Sequence, residues 1–576
     1  MNFSWRQFFS VLIAFFFACG VIWGCELIYR FSPHPARNQA NELSSQAKIN
    51  YLVCKALQEM YDGKLSDAEA DFKKALEQEP LSSYLHFKLA QVYAMQANYY
   101  LCEKEAKKAI ELEPSWREPY ILLIQVYLFS NQPTKAEKLS RKLLELFPDD
   151  EEAVIYLAQS YQLRRMKPTA IIILRNFLEK YPQRAQVRKR YIELLLSMGL
   201  ADKAEEQYQI LLEQRPADIG AWLDYAQLLA SEGRLKQALD AYKQALNLNP
   251  NQLVPRLERA RIFWSLNSPQ KALLELERAK ELFPESIDVW RYSALINLSL
   301  QKIDSAEKDY QAILDLSPQD QEALYRLGVI ALWKKDYDRA QNLLKQVKPK
   351  SQYYEQAQAE LIWAIYYQGD KEGAIALGEK LISSHPGIKA YWLNLAGIYE
   401  KEEEYEKAKA LLEEALKHIP QDADIFYQLA MVYSLLGDYD KALELAQTAL
   451  KLKPDDPWIL NFIGYSWAEK GINLDDAEKY IKKALEKQPN NGAIIDSLGW
   501  VYFQRGEYKK ALKLLEKANK FYPDDPEIIK HIGETWLKLG NKEKAIFYLK
   551  KALELKPRTS LKEKIENLLK ELVNEK

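Results

Sequence analysis

The chain has 576 residues, of which 28% are charged, and a formal net charge of −1 at pH 7. Proteins whose main partner is nucleic acid usually present a basic face, so this charge balance argues against a nucleic-acid partner. The four cysteines include no CxxC pair, which predicts neither a zinc site nor a disulfide framework.

An uncharged apolar run occupies the N-terminus from Phe8 to Cys25, and apolar residues continue after Glu26. A membrane helix needs about 20 predominantly apolar residues. We therefore take residues 1–30 as a membrane anchor or signal segment that contacts the membrane through residues 8–29. Cleavage of this segment, or its burial as a helix, is an alternative.

The end of the same run permits a second kind of attachment. The sequence Ile22-Trp23-Gly24-Cys25 resembles the lipobox of bacterial lipoproteins, although Trp23 departs from that pattern. In this interpretation Cys25 is the residue that would be lipidated.

Residues 31–48 contain two prolines and many polar residues, so they are predicted to form a linker. Beyond them the chain repeats every 34 residues, and a small residue recurs with this period from Ala68 to Ala374. The period is also marked by prolines: Pro80, Pro114, Pro148, Pro182, Pro216, Pro250, Pro284, Pro318, Pro386, Pro420 and Pro454, followed one residue later in phase by Pro489, Pro523 and Pro557. The periodicity predicts about fifteen repeats over residues 49–559.

One repeat, residues 389–422, shows the pattern best. Its spaced residues are Trp392, Leu395, Ala396, Tyr399, Ala408, Leu412, Ala415 and Pro420. They predict two amphipathic helices with apolar residues at i, i+3, i+4 and i+7. Small residues let the two helices approach closely, and the proline ends the second helix.

This pattern resembles the tetratricopeptide repeat (TPR). The resemblance implies an all-α fold, a right-handed superhelical solenoid of about fifteen helix-turn-helix repeats. Residues 560–576 carry an apolar stripe and are predicted to be the C-terminal capping helix. The N-terminal membrane helix would be separate from the solenoid.

The periodicity is irregular at residues 345–388. Pro349 falls three residues before the expected position and is predicted to shorten a second helix, and Gly378 stands where a large apolar residue belongs. An extra residue within 471–476 predicts a longer turn inside one hairpin.

No catalytic, phosphate-binding or metal-binding motif is visible, and the five histidines are scattered. We therefore expect no enzymatic activity, no cofactor, no metal and no small-molecule substrate. Acidic pairs such as 149–150, 455–456 and 524–525 follow the turn prolines and are predicted to be helix N-caps.

The TPR resemblance also implies where a partner would bind. In such arrays the first helix of each repeat lines the concave face, with contacts at its fifth, ninth, twelfth and thirteenth positions. On this chain the candidates between residues 320 and 505 are Tyr325, Trp333, Trp363, Tyr366, Tyr367, Tyr427, Met431, Tyr465, Trp500 and Phe503. They predict an apolar groove for a segment of another protein, and the alternative is that several of these side chains pack between repeats.

The last three repeats resemble those of bacterial TPR proteins with N-terminal export or anchor segments. Together these features predict a membrane-tethered scaffold that binds protein partners in the assembly or maintenance of a cell-envelope complex. We expect the repeats to be extracytoplasmic, with the cytoplasmic face of the inner membrane as the alternative. A non-catalytic or substrate-presenting subunit of an enzyme complex, or a structural spacer, is the other possible function.

Overall fold

The computed structural model describes residues 45–574, which form thirty-one α-helices and no β-strand. Consecutive helices pair into fifteen hairpins, which we number as repeats 1–15, and one last helix follows them. The predicted all-α array of about fifteen repeats is thereby confirmed, while its right-handed superhelical course stays a prediction.

The chain divides into two compact units, and the division between Glu275 and Leu276 falls within one helix. The helices up to that point are α1 Ser45–Tyr61, α2 Leu65–Gln78, α3 Ser83–Met95, α4 Tyr99–Leu112, α5 Arg117–Phe129, α6 Pro133–Leu146, α7 Glu151–Leu163, α8 Lys167–Lys180, α9 Ala185–Leu196, α10 Ala201–Gln214, α11 Ile219–Ser231, α12 Leu235–Leu248, α13 Leu253–Ser265 and α14 Pro269–Leu282.

The second unit continues the same alternation of first and second helices. Its helices are α15 Ile287–Ser299, α16 Ile303–Leu316, α17 Gln321–Trp333, α18 Tyr337–Leu344, α19 Tyr354–Gln368, α20 Lys371–Ser384, α21 Lys389–Lys401, α22 Tyr405–His418, α23 Ala423–Leu435, α24 Tyr439–Leu452, α25 Pro457–Glu469, α26 Leu474–Lys487, α27 Gly492–Gln504, α28 Tyr508–Phe521, α29 Pro526–Lys538, α30 Lys542–Glu554 and α31 Thr559–Asn574.

The N-terminal boundary differs from the sequence prediction. Helix α1 begins at Ser45, so the predicted linker 31–48 overlaps it by four residues. The predicted anchor 1–30, with Cys25, and the rest of the linker lie outside the described residues. Among residues 45–574, no helix combines the length and the apolar character that a membrane crossing requires.

The core is built from the small and large apolar residues of the repeat. In repeat 11, Trp392, Leu395 and Ala396 of α21 are buried against Ala408 and Leu412 of α22. The alanines remove side-chain bulk and let the two helices approach, and this apolar cluster continues into repeats 12, 13 and 14. A hairpin therefore buries its apolar faces only together with its neighbours.

Hydrogen bonds between side chains and backbone groups at the turns fix the ends of the helices. The Trp392 indole N–H donates to the carbonyl of Pro386 at 2.9 Å, which ties the first helix to the proline before it. Asp150 and Asp456 accept hydrogen bonds from backbone N–H groups of the helices that follow, so the predicted N-caps are confirmed at these positions.

The irregularities of the repeat lie at the positions that the sequence predicts. Helix α18 has only eight residues, and Pro349 follows its last turn, whereas the next second helix, α20, has fourteen. The turn between α25 and α26 is one residue longer than that between α21 and α22, and Asn473 there has a φ of 49°. In α31, Ile565 and Leu572 are buried against the last repeat, as a capping helix requires.

Candidate partner-binding surface

The first helices of successive repeats contact one another, and polar side chains join them. We call the surface formed by α17, α19, α21, α23, α25, α27 and α29 the first-helix face. Asn394 donates to the backbone carbonyl of Ala359 at 2.8 Å, and Gln428 donates to Glu400 at 2.7 Å. Each of these bonds runs from the sixth position of a first helix to the preceding first helix, so the face is ordered by side chains as well as by apolar packing.

Aromatic rings cluster in repeats 9 and 10, on α19 and at the start of the neighbouring α18. Trp363 stacks on Tyr367 at a centroid distance of 5.6 Å, Tyr367 stacks on Tyr337 at 5.6 Å, and Tyr366 meets Trp363 edge-on at 5.8 Å. We call these four rings the open aromatic cluster. Tyr367 is 41% exposed, and the nearby predicted contact Trp333 at the end of α17 is 61% exposed.

The open aromatic cluster is held in place by its polar edges. The Tyr366 hydroxyl donates to Glu402 at 2.7 Å, and burial together with this carboxylate raises the pKa of Tyr366 to about 12. Gly397 forms the floor under Trp363, because a Cβ atom added there would lie 2.9 Å from the indole ring. Rings fixed in this way lose little conformational freedom when a partner binds.

A second aromatic pair lies on the N-terminal side of the open aromatic cluster. Tyr325, at the fifth position of α17, stacks on Tyr353 at 5.6 Å. Burial raises the pKa of Tyr325, and the nearby Glu360 carboxylate raises it further. Tyr325 is half-buried, so it offers part of its ring to the surface.

The predicted contacts in repeat 12 are less open. Tyr427 is half-buried and meets Phe462 of the next first helix edge-on at 5.8 Å. Burial raises the pKa of Tyr427, with smaller effects from Asp456 and Glu400. Met431 is also half-buried.

In repeats 13 to 15 the corresponding rings pack against one another. Trp500 is only 5% exposed, and its ring lies between Phe503 at 4.4 Å and His531 at 4.1 Å. The Tyr465 hydroxyl donates to Glu527, two repeats further along the chain, at 3.1 Å. Trp500 therefore packs between repeats, the alternative left open by the sequence, and Phe503 and Tyr465 are partly covered.

A buried histidine–aspartate pair accompanies this packing. His531 has no exposed surface, and its Nδ1 lies 3.0 Å from both carboxylate oxygens of Asp496. Burial works against the charged imidazole, but Asp496 offsets this effect and the pKa of His531 is raised. Asp496 therefore favours the charged form of the His531 imidazole inside the repeat interface.

The last helix reaches back along the second unit. The backbone N–H of Thr559 donates to the carboxylate of Glu403, in the turn of repeat 11, at 3.1 Å. Lys564 lies 3.8 Å from Glu469 at the end of α25. The C-terminal helix therefore contacts repeats 11 and 13 as well as repeat 15.

The first unit has a cavity whose charged lining residues pair with one another. It is lined by residues of repeats 3 to 5, where Arg117 pairs with Glu152 at 2.7 Å and Arg184 with Asp149 at 2.6 Å. Within residues 45–574 no three histidine, cysteine or acidic side chains are grouped as metal ligands. Cys102 is buried and Cys54 is exposed.

Sequence reasoning missed the polar members of these sites. Asp496 and His531 are 35 residues apart, one more than the period, so the repeat pattern does place them on neighbouring first helices. Glu360 and the Glu403–Thr559 contact carry no such signal, because the first is a single acidic residue among many and the second joins segments 156 residues apart.

Comparison with family models identifies the repeats. Models described as tetratricopeptide repeat match residues 55–111, 152–184, 192–252, 229–296, 388–455, 472–530 and 502–564, and together they cover more than half of the chain. A model described as outer membrane lipoprotein matches residues 318–398.

Individual proteins resemble parts of the chain more distantly. A TPR repeat-containing protein of Pseudomonas aeruginosa is 27% identical over 191 residues, which are 33% of this chain and 32% of that protein. The match thus spans about a third of that relative's length.

Solved structures also match. In the APC/C hetero-tetramer Cut9–Hcn1, the matched chain is 15% identical with a TM-score of 0.38, over 86% of this chain and 97% of that chain. A tetratricopeptide repeat protein from Parabacteroides merdae is 21% identical with a TM-score of 0.36, over 44% of this chain and 100% of that chain.

Proposed function

The chain belongs to the tetratricopeptide repeat family, and we propose that it is a membrane-tethered scaffold that binds partner proteins through its first-helix face. The repeats support the general role of a protein-interaction scaffold. The membrane tether, the envelope setting and the location of the partner are our proposal.

The open aromatic cluster is the main support for the proposed position of the partner. Soluble proteins seldom leave several large rings partly exposed side by side, and such patches mark interaction sites. Tryptophan and tyrosine are the residues that most often dominate protein interfaces. Trp333 and Tyr367 are exposed here, while Trp500 in repeat 14 is buried, so we place the partner on repeats 9 and 10.

Two features support the envelope setting. The apolar run at residues 8–29 suits a membrane anchor, and the stretch 318–398 matches the outer membrane lipoprotein model. We propose that residues 1–30 hold the protein at a bacterial membrane with the repeats outside the cytoplasm. Cys25→Ser distinguishes the two forms of attachment, because only a lipoprotein would lose labelling by a radioactive fatty acid while a transmembrane anchor would stay in the membrane fraction.

A photo-crosslinking experiment in cells tests the position of the partner. A benzoylphenylalanine replaces Tyr367 on the first-helix face or, as the matched control, Lys380, which is exposed on the second helix of the same repeat. We expect discrete protein adducts from position 367 and none from position 380. Equal adducts from both positions, or adducts from position 380 alone, would contradict the proposal.

A further inference from the structure

We infer that the surface around Glu360 binds a lysine or arginine side chain carried by a segment of the partner protein. This inference rests on the proposed scaffold function and adds the chemistry of what is bound. It depends on one carboxylate, the rings beside it and the charges around it.

Glu360 lies on the first-helix face without a partner. Its side chain is half-buried on α19, one turn before Trp363. Within the part of the chain that the structure describes, its carboxylate makes no hydrogen bond and no ion pair. Burial raises the pKa of Glu360, and no neighbouring cation counteracts this effect.

Other carboxylates of the same region are paired. Glu322 of α17 lies 3.0 Å from Arg291, and Glu402 after α21 lies 2.8 Å from Lys371. A carboxylate withdrawn from water normally has such a partner, because an unpaired buried charge is costly. Glu360 is half-buried and has no such partner among the described residues, so its carboxylate is free to accept a cation from a bound segment.

The rings beside Glu360 suit a cation with an alkyl stem. Tyr325 of α17 lies close enough for Glu360 to affect its pKa, and Trp363 follows on the same helix. Lysine and arginine combine a charged end with an apolar stem that packs on aromatic surfaces. A carboxylate near Tyr325 and one turn before Trp363 on the same helix matches both parts of such a side chain.

The chain itself places cations on this aromatic surface. Lys401 lies over the Tyr367 ring at 5.5 Å, and Arg326 lies over Tyr325 at 5.5 Å. Arg326 pairs with Glu322 at 3.9 Å and leaves Glu360 unpaired. The face therefore already holds cations on its rings, and Glu360 on the same face has no paired cation among the described residues.

The test uses full-length protein in mild detergent and pools of nine-residue peptides with randomised flanks. The central residue is fixed as lysine, arginine, norleucine or glutamate, and the fluorescent peptides retained by the immobilised protein are measured. Norleucine keeps the alkyl stem of lysine without its charge. We expect the lysine and arginine pools to be retained at least tenfold more than the norleucine and glutamate pools.

Glu360→Gln should abolish that preference, whereas Glu355→Gln, an exposed position on the same helix, should preserve it. Equal retention of all pools by the unmodified protein, no retention of any pool, or a preference that survives Glu360→Gln would overturn the inference. Concentration-dependent self-association that Glu360→Gln removes would also overturn it, because the occupant would then be a second copy of the chain.

The outcome separates this inference from the proposed function. If peptide selectivity is absent but position 367 still forms protein adducts in cells, the scaffold role is supported. The binding of a lysine or arginine side chain at Glu360 is then rejected. Circular dichroism of Glu360→Gln confirms that the helices are intact, so a loss of binding reports on the carboxylate.

Discussion

Repeats 10 and 14 carry a tryptophan at the same position of the repeat, yet the two rings are in different surroundings. Trp363 in repeat 10 is half-buried at the edge of the open aromatic cluster, whereas Trp500 in repeat 14 is buried between Phe503 and His531. The following repeat makes the difference. At the position equivalent to His531, repeat 11 has Asn394, whose side chain bonds to the backbone carbonyl of Ala359 and places no ring on the indole.

This comparison shows that a position in the repeat does not by itself decide whether a ring binds a partner or packs internally. In these two repeats the side chain at the sixth position of the following first helix differs: His531 stacks on Trp500, whereas Asn394 bonds to the backbone. The four predictions that follow test this distinction, and they begin with the largest expected effect.

Trp500→Ala should destabilise the protein by about 3–5 kcal/mol, because it removes a large buried ring and leaves a cavity. Trp333→Ala is the matched change at an exposed ring and should stay within about 0.5 kcal/mol of the unmodified protein. Chemical denaturation followed by circular dichroism measures both. A small effect of Trp500→Ala would mean that repeats 13 to 15 are as open as repeats 9 and 10.

Asp496→Asn should cost roughly 1.5–3 kcal/mol at pH 6, since it removes the charged partner of His531. The raised pKa of His531 means that the pair's stabilisation is fully present below the ordinary histidine pKa and is lost as the pH rises through the folded-state value. The difference in melting temperature between the two proteins should therefore shrink from pH 6 to pH 9. A difference that grows with pH would show that His531 is neutral in the folded protein.

Gly464→Ala should cost about 1–3 kcal/mol, because the new methyl group would lie 2.6 Å from Ile481 and 3.0 Å from the backbone carbonyl of Ala477. Gly397→Ala is the counterpart under the open aromatic cluster, where only the half-buried Trp363 ring has to move. We expect a smaller loss of stability and a changed tryptophan fluorescence spectrum. Equal losses of stability from the two alanines would remove the contrast between the regions.

Glu360→Gln should give the smallest effect, a slight rise in melting temperature at pH 7.5. Burial raises the pKa of Glu360, so its protonated form favours folding and this contribution is lost as the pH rises through the folded-state pKa. At pH 4 the substitution should leave the melting temperature unchanged. Glu355→Gln provides the control at both pH values, and a fall in melting temperature at pH 7.5 would mean that the carboxylate has a stabilising partner.

The sequence was sufficient to predict the repeats and the positions where they are irregular. Alanine and proline periodicity placed the fifteen hairpins, and Pro349 marked the shortened helix because a proline cannot continue one. The start of α1 at Ser45 was missed, since the polar residues 45–48 carry no apolar period. The N-terminal boundary therefore depended on composition alone.

The candidate surface was predictable only in outline. Family positions identified Tyr367 and Trp333, which are exposed, but also Trp500, which is buried. Burial at a repeat position depends on side chains of the following repeat, and the contribution of His531 is visible only once two first helices are placed side by side. Glu360 could not be selected from the many acidic residues, because what distinguishes it is that it pairs with no cation among residues 45–574.

The contact of Thr559 with Glu403 affects how the second unit should lose its structure. In an array where each hairpin touches only its neighbours, unfolding starts at a free end and proceeds hairpin by hairpin. Here the terminal helix is bonded to a turn four hairpins earlier, and Lys564 approaches Glu469 between the two. Fraying from the C-terminus breaks these distant contacts at its first step, so repeats 11 to 15 should melt as one cooperative block.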